Sequence, residues 1–121
     1  MARDNQAAEI ARVTREIKSM AIEFDIPIIL LSHLRRKPAG AGDKAPQIDD
    51  LKDSSSIGQD ADVVIMLKRD DIDEDKRNIM NVFVRKNRNK GRTGGLNMNI
   101  NFKNLEITEI ESLSDSAQGI F

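Results

Sequence analysis

Cysteine, tryptophan and tyrosine are absent from this chain of 121 residues. Without cysteine there can be no disulfide, thiolate metal site or thiol nucleophile. A single histidine, His33, excludes a multi-histidine metal centre. The aromatics are four phenylalanines, 3% of the chain, too few for the base-stacking platform of an OB-fold or an RNA-recognition sheet. No apolar run approaches the roughly 20 residues of a membrane span, and the start lacks a signal-peptide pattern, so the expected compartment is the cytoplasm and no membrane partner is expected. Neither sign of charge dominates: 19 Lys and Arg stand against 20 Asp and Glu, a net charge of −1. That balance excludes a generally basic coat for nucleic acid and leaves room for a local basic patch. The length suits one domain or one piece of a larger one.

What is present reads first as α/β. Residues 4–24 carry Ile10, Val13, Ile17, Met20, Ala21 and Phe24 at the spacings of one helical stripe, with Asp4 as the expected N-cap. Pro27 ends the helix by constraining the residue before it. Ile28-Ile29-Leu30-Leu31 follows at once and reads as a strand buried on both faces, as in a parallel sheet; Val63 to Leu67 reads as a second. Residues 35–49, with Pro38, Gly40, Gly42 and Pro46, form a long loop of the kind that carries function. Leu51 to Gln59 suits a short helix, and the acid-rich stretch Asp70 to Asp75 a solvated turn. Then the period changes to two. Met80, Val82 and Val84 share one parity, and Leu96, Met98, Ile100 and Phe102 another, which predicts a half-buried antiparallel hairpin around the basic loop Arg85 to Gly95. Leu105 to Ile110 suits an edge strand and Ser112 to Gly119 a frayed end.

Chemistry has few places to reside. His33 stands at the carboxyl end of the first predicted strand, where open α/β sheets bind ligands. It can donate to an anionic oxygen, or it can be an ordinary strand-end histidine bonded to a backbone carbonyl. Arg85, Lys86, Arg88, Lys90 and Arg92 place five cations in eight positions without an acid, beside Gly91, Gly94 and Gly95. Phosphate suits such a cluster, of a nucleotide or of DNA; a solvated hairpin tip is the plainer alternative. Arg35, Arg36, Lys37 and Lys44 in the long loop can track a nucleic-acid backbone or remain surface charge. No G-x-x-x-x-G-K-[ST] phosphate cradle occurs anywhere, so Asp49, Asp50, Asp53, Asp60 and Asp62 are not assigned as Mg²⁺ ligands.

Three stretches in order resemble the DnaB-type replicative hexameric helicases, a group that includes phage helicase–primases and the mitochondrial helicase Twinkle. They are Glu9 to Ala21 running into Ile26-Pro27-Ile28-Ile29-Leu30-Leu31-Ser32-His33-Leu34-Arg35; Asp50-Leu51-Lys52-Asp53-Ser54-Ser55-Ser56-Ile57-Gly58-Gln59-Asp60-Ala61-Asp62-Val63-Val64; and Val84-Arg85-Lys86-Asn87-Arg88-Asn89-Lys90-Gly91-Arg92-Thr93-Gly94. The resemblance implies the C-terminal part of a RecA-like P-loop ATPase core over residues 1–111, with parallel buried strands extended by an antiparallel hairpin. Residues 112–121 are then a flexible tail, and the Walker A and B segments lie upstream. By position, His33 matches the γ-phosphate sensor. Arg88 matches the arginine finger acting in trans and Lys86 its basic companion. Lys52, Asp53 and Ser55 match a loop that grips single-stranded DNA, with Arg35 and Arg36 as further DNA contacts; the family commonly has Arg at the first of these positions and Gly at the third. The implied activity is ATP-driven translocation on single-stranded DNA with duplex unwinding. ATP and Mg²⁺ serve the complete protein, and this chain alone binds neither and is inactive. The implied partners are identical subunits in a hexameric ring, a primase and a helicase loader. The competing expectations are a RecA- or RadA-like recombinase fragment and a stand-alone non-catalytic module that binds DNA or a helicase.

Overall fold

Helix α1 runs over Ala2–Phe24 and ends because Asp25 turns left-handed, at φ 50°. The amide of Asp25 then bonds the Ile22 carbonyl at 3.3 Å, and that of Ile26 the Ala21 carbonyl at 3.1 Å. These are the paired bonds of a Schellman end, with an aspartate in the position glycine usually takes. Pro27 follows and forbids any continuation. The computed structural model describes residues 2–34, 45–51, 55–69 and 74–110. They fall into two compact units, 1–61 and 62–121.

In the first unit α1 packs against the short helix α2 (Ser55–Asp60), and α2 against a 3₁₀ turn at Ile48–Asp50. The face of α1 that is covered differs from the expected stripe. Its centre is Thr14, 6% exposed, flanked by half-buried Ile10, Ala11, Ile17 and Ala21. Val13, Met20 and Phe24 lie on the exposed side. The helix also begins at Ala2, so Asp4 lies inside its first turn and is not the N-cap.

The segment after α1 calls for a correction. Residues 26–33 belong to no helix or strand, and Ile29 and Leu31 are each 90% exposed. The apolar run that reads as a doubly buried strand has no strand paired with it among the described residues; its sole ladder contact is an antiparallel bridge from Leu34 to Leu51. A run of this kind is a strand only when neighbours take up its amides and carbonyls.

The second unit is a four-stranded antiparallel sheet in the order β1 (Val63–Arg69), β2 (Ile79–Asn87), β3 (Gly94–Asn101), β4 (Glu106–Glu109). Val82 faces Leu96, Met80 faces Met98, and Ile100 faces Ile107, so the period-two residues share one side as anticipated. Val84 and Ile100 are its buried centre. On the other side Val64 and Met66 are buried, while Asn81 donates to Asn97 at 2.7 Å. Val63, Ile65 and Leu67 are about half exposed, so β1 is buried on one face and not two. The expected α/β class and hairpin are present; every strand pair among the described residues is antiparallel. The hairpin strands run further than anticipated. β2 continues through Asn87, which takes Arg85 and Lys86 out of the loop, and β3 begins at Gly94. Phe102 falls in the β3–β4 turn, where Arg69 lies 4.9 Å above its ring.

Candidate nucleotide and DNA contact residues

His33 ends this segment and is exposed. With Leu30, Leu31 and Ser32 it borders an open groove of about 330 Å³, whose other wall is the Glu9, Ile10, Val13, Thr14 and Ile17 side of α1 together with Ile57. The groove is mainly apolar, and His33, Ser32, Thr14 and Glu9 are its polar members. Arg12 engages Glu9 through two nitrogens and Glu16 through a third contact of 2.6 Å. The bonded guanidinium holds the Glu9 carboxyl below its usual range, first by hydrogen bonding and then by charge.

One step beyond His33, Leu34 bridges to Leu51, the residue before Lys52. α2 in turn packs against the 3₁₀ turn that Leu51 follows. Gly58 packs so closely on the 3₁₀ turn that a Cβ there would lie 2.4 Å from Ile48 Cγ2. α2 is tied to α1 by the Thr14 hydroxyl, which lies 3.0 Å from Asp60 Oδ2, 3.1 Å from the Ala11 carbonyl and 3.4 Å from Ser56 Oγ. Its one proton is shared between the first two acceptors. Sequence reasoning missed this residue, because a threonine among charged neighbours carries no periodic signal.

In the sheet unit the basic cluster divides by structure. A β-bulge interrupts the β1–β2 ladder: Val64 faces Lys86 and Ile65 faces Val84, leaving Arg85 as the extra residue. Bulges re-aim side chains. Arg85 lies 4.6 Å over the Phe83 ring, and that ring covers Gly95, where a Cβ would meet it at 3.0 Å. Arg85 is therefore occupied by a cation–π contact. Lys86 is half-buried at the end of β2. Arg88 begins the turn, but it is not the simple solvated tip that the spacing suggests. Its amide donates to the Asp62 carbonyl at 2.9 Å, and its guanidinium to Asp62 Oδ1 at 2.7 Å. Lys90 and Arg92 are exposed, and Gly91 closes the turn in the left-handed region at φ 67°, its amide bonding the Asn87 carbonyl at 2.8 Å.

Residues 1–110 match the family described as the DnaB-like helicase C-terminal domain. The chain belongs to this family. It is 41% identical over 87 residues to the probable plasmid replicative DNA helicase of Chlamydia psittaci, covering 70% of this chain and 19% of that protein. It is 34% identical over 119 residues to the replicative DNA helicase DnaB of Geobacillus stearothermophilus, covering 96% of this chain and 26% of that one. Among solved structures it resembles the ATPase domain of G40P, with 31% identity and a TM-score of 0.76 over 87% of this chain and 38% of that one. A structure of a DnaB-like replicative helicase and its interactions with primase matches with the same identity and TM-score, over 26% of its chain. This member of the DnaB-like family thus spans about a fifth to a quarter of the length of the curated relatives it matches.

Within this family member, several expected site residues lie outside the described residues: Arg35, Arg36, Lys52 and Asp53, with Lys37 and Lys44 of the same loop, the Asp70 end of the acidic stretch and the tail from 112. Ser55 is the first residue of α2. Lys86 and Arg88 are brought to one end of β2, and Leu34, the residue after His33, is bridged to Leu51. A divalent cation does not fit the described residues, among which no three His, Asp or Glu side chains converge. Three of the five acids named above accept hydrogen bonds within the chain: Asp50 from the Gln47 amide at 2.8 Å, Asp60 from Thr14, and Asp62 from Arg88. Among the described residues no helix is long and apolar enough to cross a membrane.

Proposed function

We propose that this segment is the part of a replicative DNA helicase motor that senses a nucleotide's γ-phosphate and completes the ATP site of an adjoining subunit. The observation that carries the reading is the family match across residues 1–110, within which His33, the Lys52 loop and Lys86-x-Arg88 occur in order. His33 takes the sensor role, exposed one position before the Leu34–Leu51 bridge. Arg88 takes the finger role with Lys86 beside it. A guanidinium supplied in trans neutralises charge on the transferring phosphoryl group and is worth roughly a thousandfold or more in rate. A finger in trans needs a head-to-tail ring, which we take to be a hexamer of identical subunits. Lys52, Asp53 and Ser55, with Arg35 and Arg36, hold the backbone of single-stranded DNA without reading its sequence. ATP with Mg²⁺, a primase, a loader and a cytoplasmic setting complete the proposal.

The test uses the full-length protein that carries this segment. Arg88→Ala should fold normally and lose ATPase activity by orders of magnitude. Mixing it with subunits disabled in their Walker A motif should restore part of the activity, because mixed rings contain interfaces that join an intact cradle to an intact finger. If mixed rings form and no mixture recovers turnover, Arg88 does not act in trans. The 121-residue chain, which contains no phosphate-cradling motif, is the control and should hydrolyse nothing.

A further inference from the structure

We propose that Asp62 is the positioning residue of Arg88, a reading that rests on the finger role just given. Asp62 holds Arg88 at both ends. Its carbonyl accepts the Arg88 amide at 2.9 Å, which fixes the backbone where the strand gives way to the turn. Its carboxylate accepts from the guanidinium at 2.7 Å, which fixes the far end of the side chain. An arginine side chain otherwise samples many rotamers, and a finger must be ordered before it can meet a developing charge. The neighbouring cations sharpen the need. Lys86 and Lys90 lie two positions to either side, and a flexible Arg88 among them would be driven outward by like charge. Asp62 is also well placed to act as an anchor. It immediately precedes β1, and the next residues, Val63 and Val64, pair with Asn87 and Lys86. The carboxylate is therefore carried by the strand that forms the ladder with β2, not by a separate loop.

Both groups are about half exposed, at 46% and 49%, so the pair adds little to folding and its worth lies in aim. Asp62→Ala removes the carboxylate and leaves the carbonyl bond. Asp62→Asn keeps an oxygen that can accept from the same guanidinium nitrogen and removes the charge.

The test is steady-state ATP hydrolysis with single-stranded DNA in the full-length protein, with a melting curve for each variant. Asp62→Ala should lower kcat by roughly tenfold to a hundredfold, the range that misplacing a catalytic group by about an ångström produces. KM for ATP should stay within about twofold, since the finger acts on the transition state. Asp62→Asn should recover part of the loss, which a purely electrostatic role would not allow. In an Arg88→Ala background, Asp62→Ala should cost nothing further, because its effect passes through Arg88. Equal losses in both backgrounds overturn the proposal, and so does a rise in kcat, which would mean that Asp62 holds Arg88 away from phosphate. Those failures leave the finger role intact as long as Arg88→Ala alone abolishes turnover. If Arg88→Ala leaves turnover unchanged, the finger role itself fails.

Discussion

Substituting Gly58 by alanine should destabilise the protein, although alanine is the better helix former. Gly58 lies within α2 at an ordinary helical φ, so the exchange gains about 0.5–1 kcal/mol of propensity. Against this, the new methyl would lie 2.4 Å from Ile48 Cγ2, where ordinary contact begins at 3.4 Å. The missing ångström cannot be found by rotating a flexible tip, because Cγ2 is attached directly to the branched Cβ of Ile48 and that residue sits in a 3₁₀ turn. Overpacking of this kind costs about 1–3 kcal/mol. The net expectation is a loss of about 0.5–2 kcal/mol, and each kcal/mol lowers the melting temperature of a domain this size by about 4–8 °C. The decisive comparison is the same exchange in an Ile48→Ala background, measured by urea titration in a double-mutant cycle. With Cγ2 gone the clash is gone, and Gly58→Ala should turn stabilising by up to about 1 kcal/mol. If the exchange has the same sign and size in both backgrounds, α2 does not approach the turn as closely as described.

Other outcomes follow from the same geometry. Thr14→Val keeps the shape of a buried side chain and removes its hydroxyl, leaving Asp60 without that donor; a loss of about 1–3 kcal/mol in chemical denaturation is expected, and an unchanged midpoint would contradict the bond. The Glu9 carboxyl, lowered by Arg12, contributes stability that is present above its ordinary value and is lost as pH falls through the lowered folded value. Glu9→Gln should flatten the acid side of the stability–pH curve, and added salt should shrink the difference because the pair is exposed. Arg88→Ala should cost no more than about 1 kcal/mol of stability, and a larger fall in its denaturation midpoint would mean that the pair with Asp62 holds the fold and does not merely aim the side chain.

The sequence was most informative where periodicity is long. The alternation through Met80, Val82 and Val84 and through Leu96, Met98 and Ile100 predicts a hairpin, and the structure pairs these residues across β2 and β3. α1 was legible in extent, yet its covered face was not, since a hydrophobic stripe cannot reveal that Thr14 is the residue under α2. The burial of Ile28 to Leu31 was misjudged for a different reason. Apolar composition records what a segment is suited to pack against, and the described residues contain nothing that pairs with it. Within the candidate site, His33, Lys86 and Arg88 stood out by residue type and order. Asp62 did not, because its part depends on a bulged ladder that brings together positions 26 apart in sequence. The bulge itself leaves no mark in a run of alternating residues.

The bridge between Leu34 and Leu51 has a consequence for how this segment can vary. It brings Leu34 and Leu51 side by side although residues 35–50 separate them along the chain. The entropic penalty of closing a flexible loop rises only with the logarithm of its length, and doubling it costs about 0.6 kcal/mol. Length and composition between the two leucines can therefore change at small cost while Leu34 and Leu51 stay paired. A backbone shift at one leucine is passed to the other across a single rung, whatever sequence lies between them.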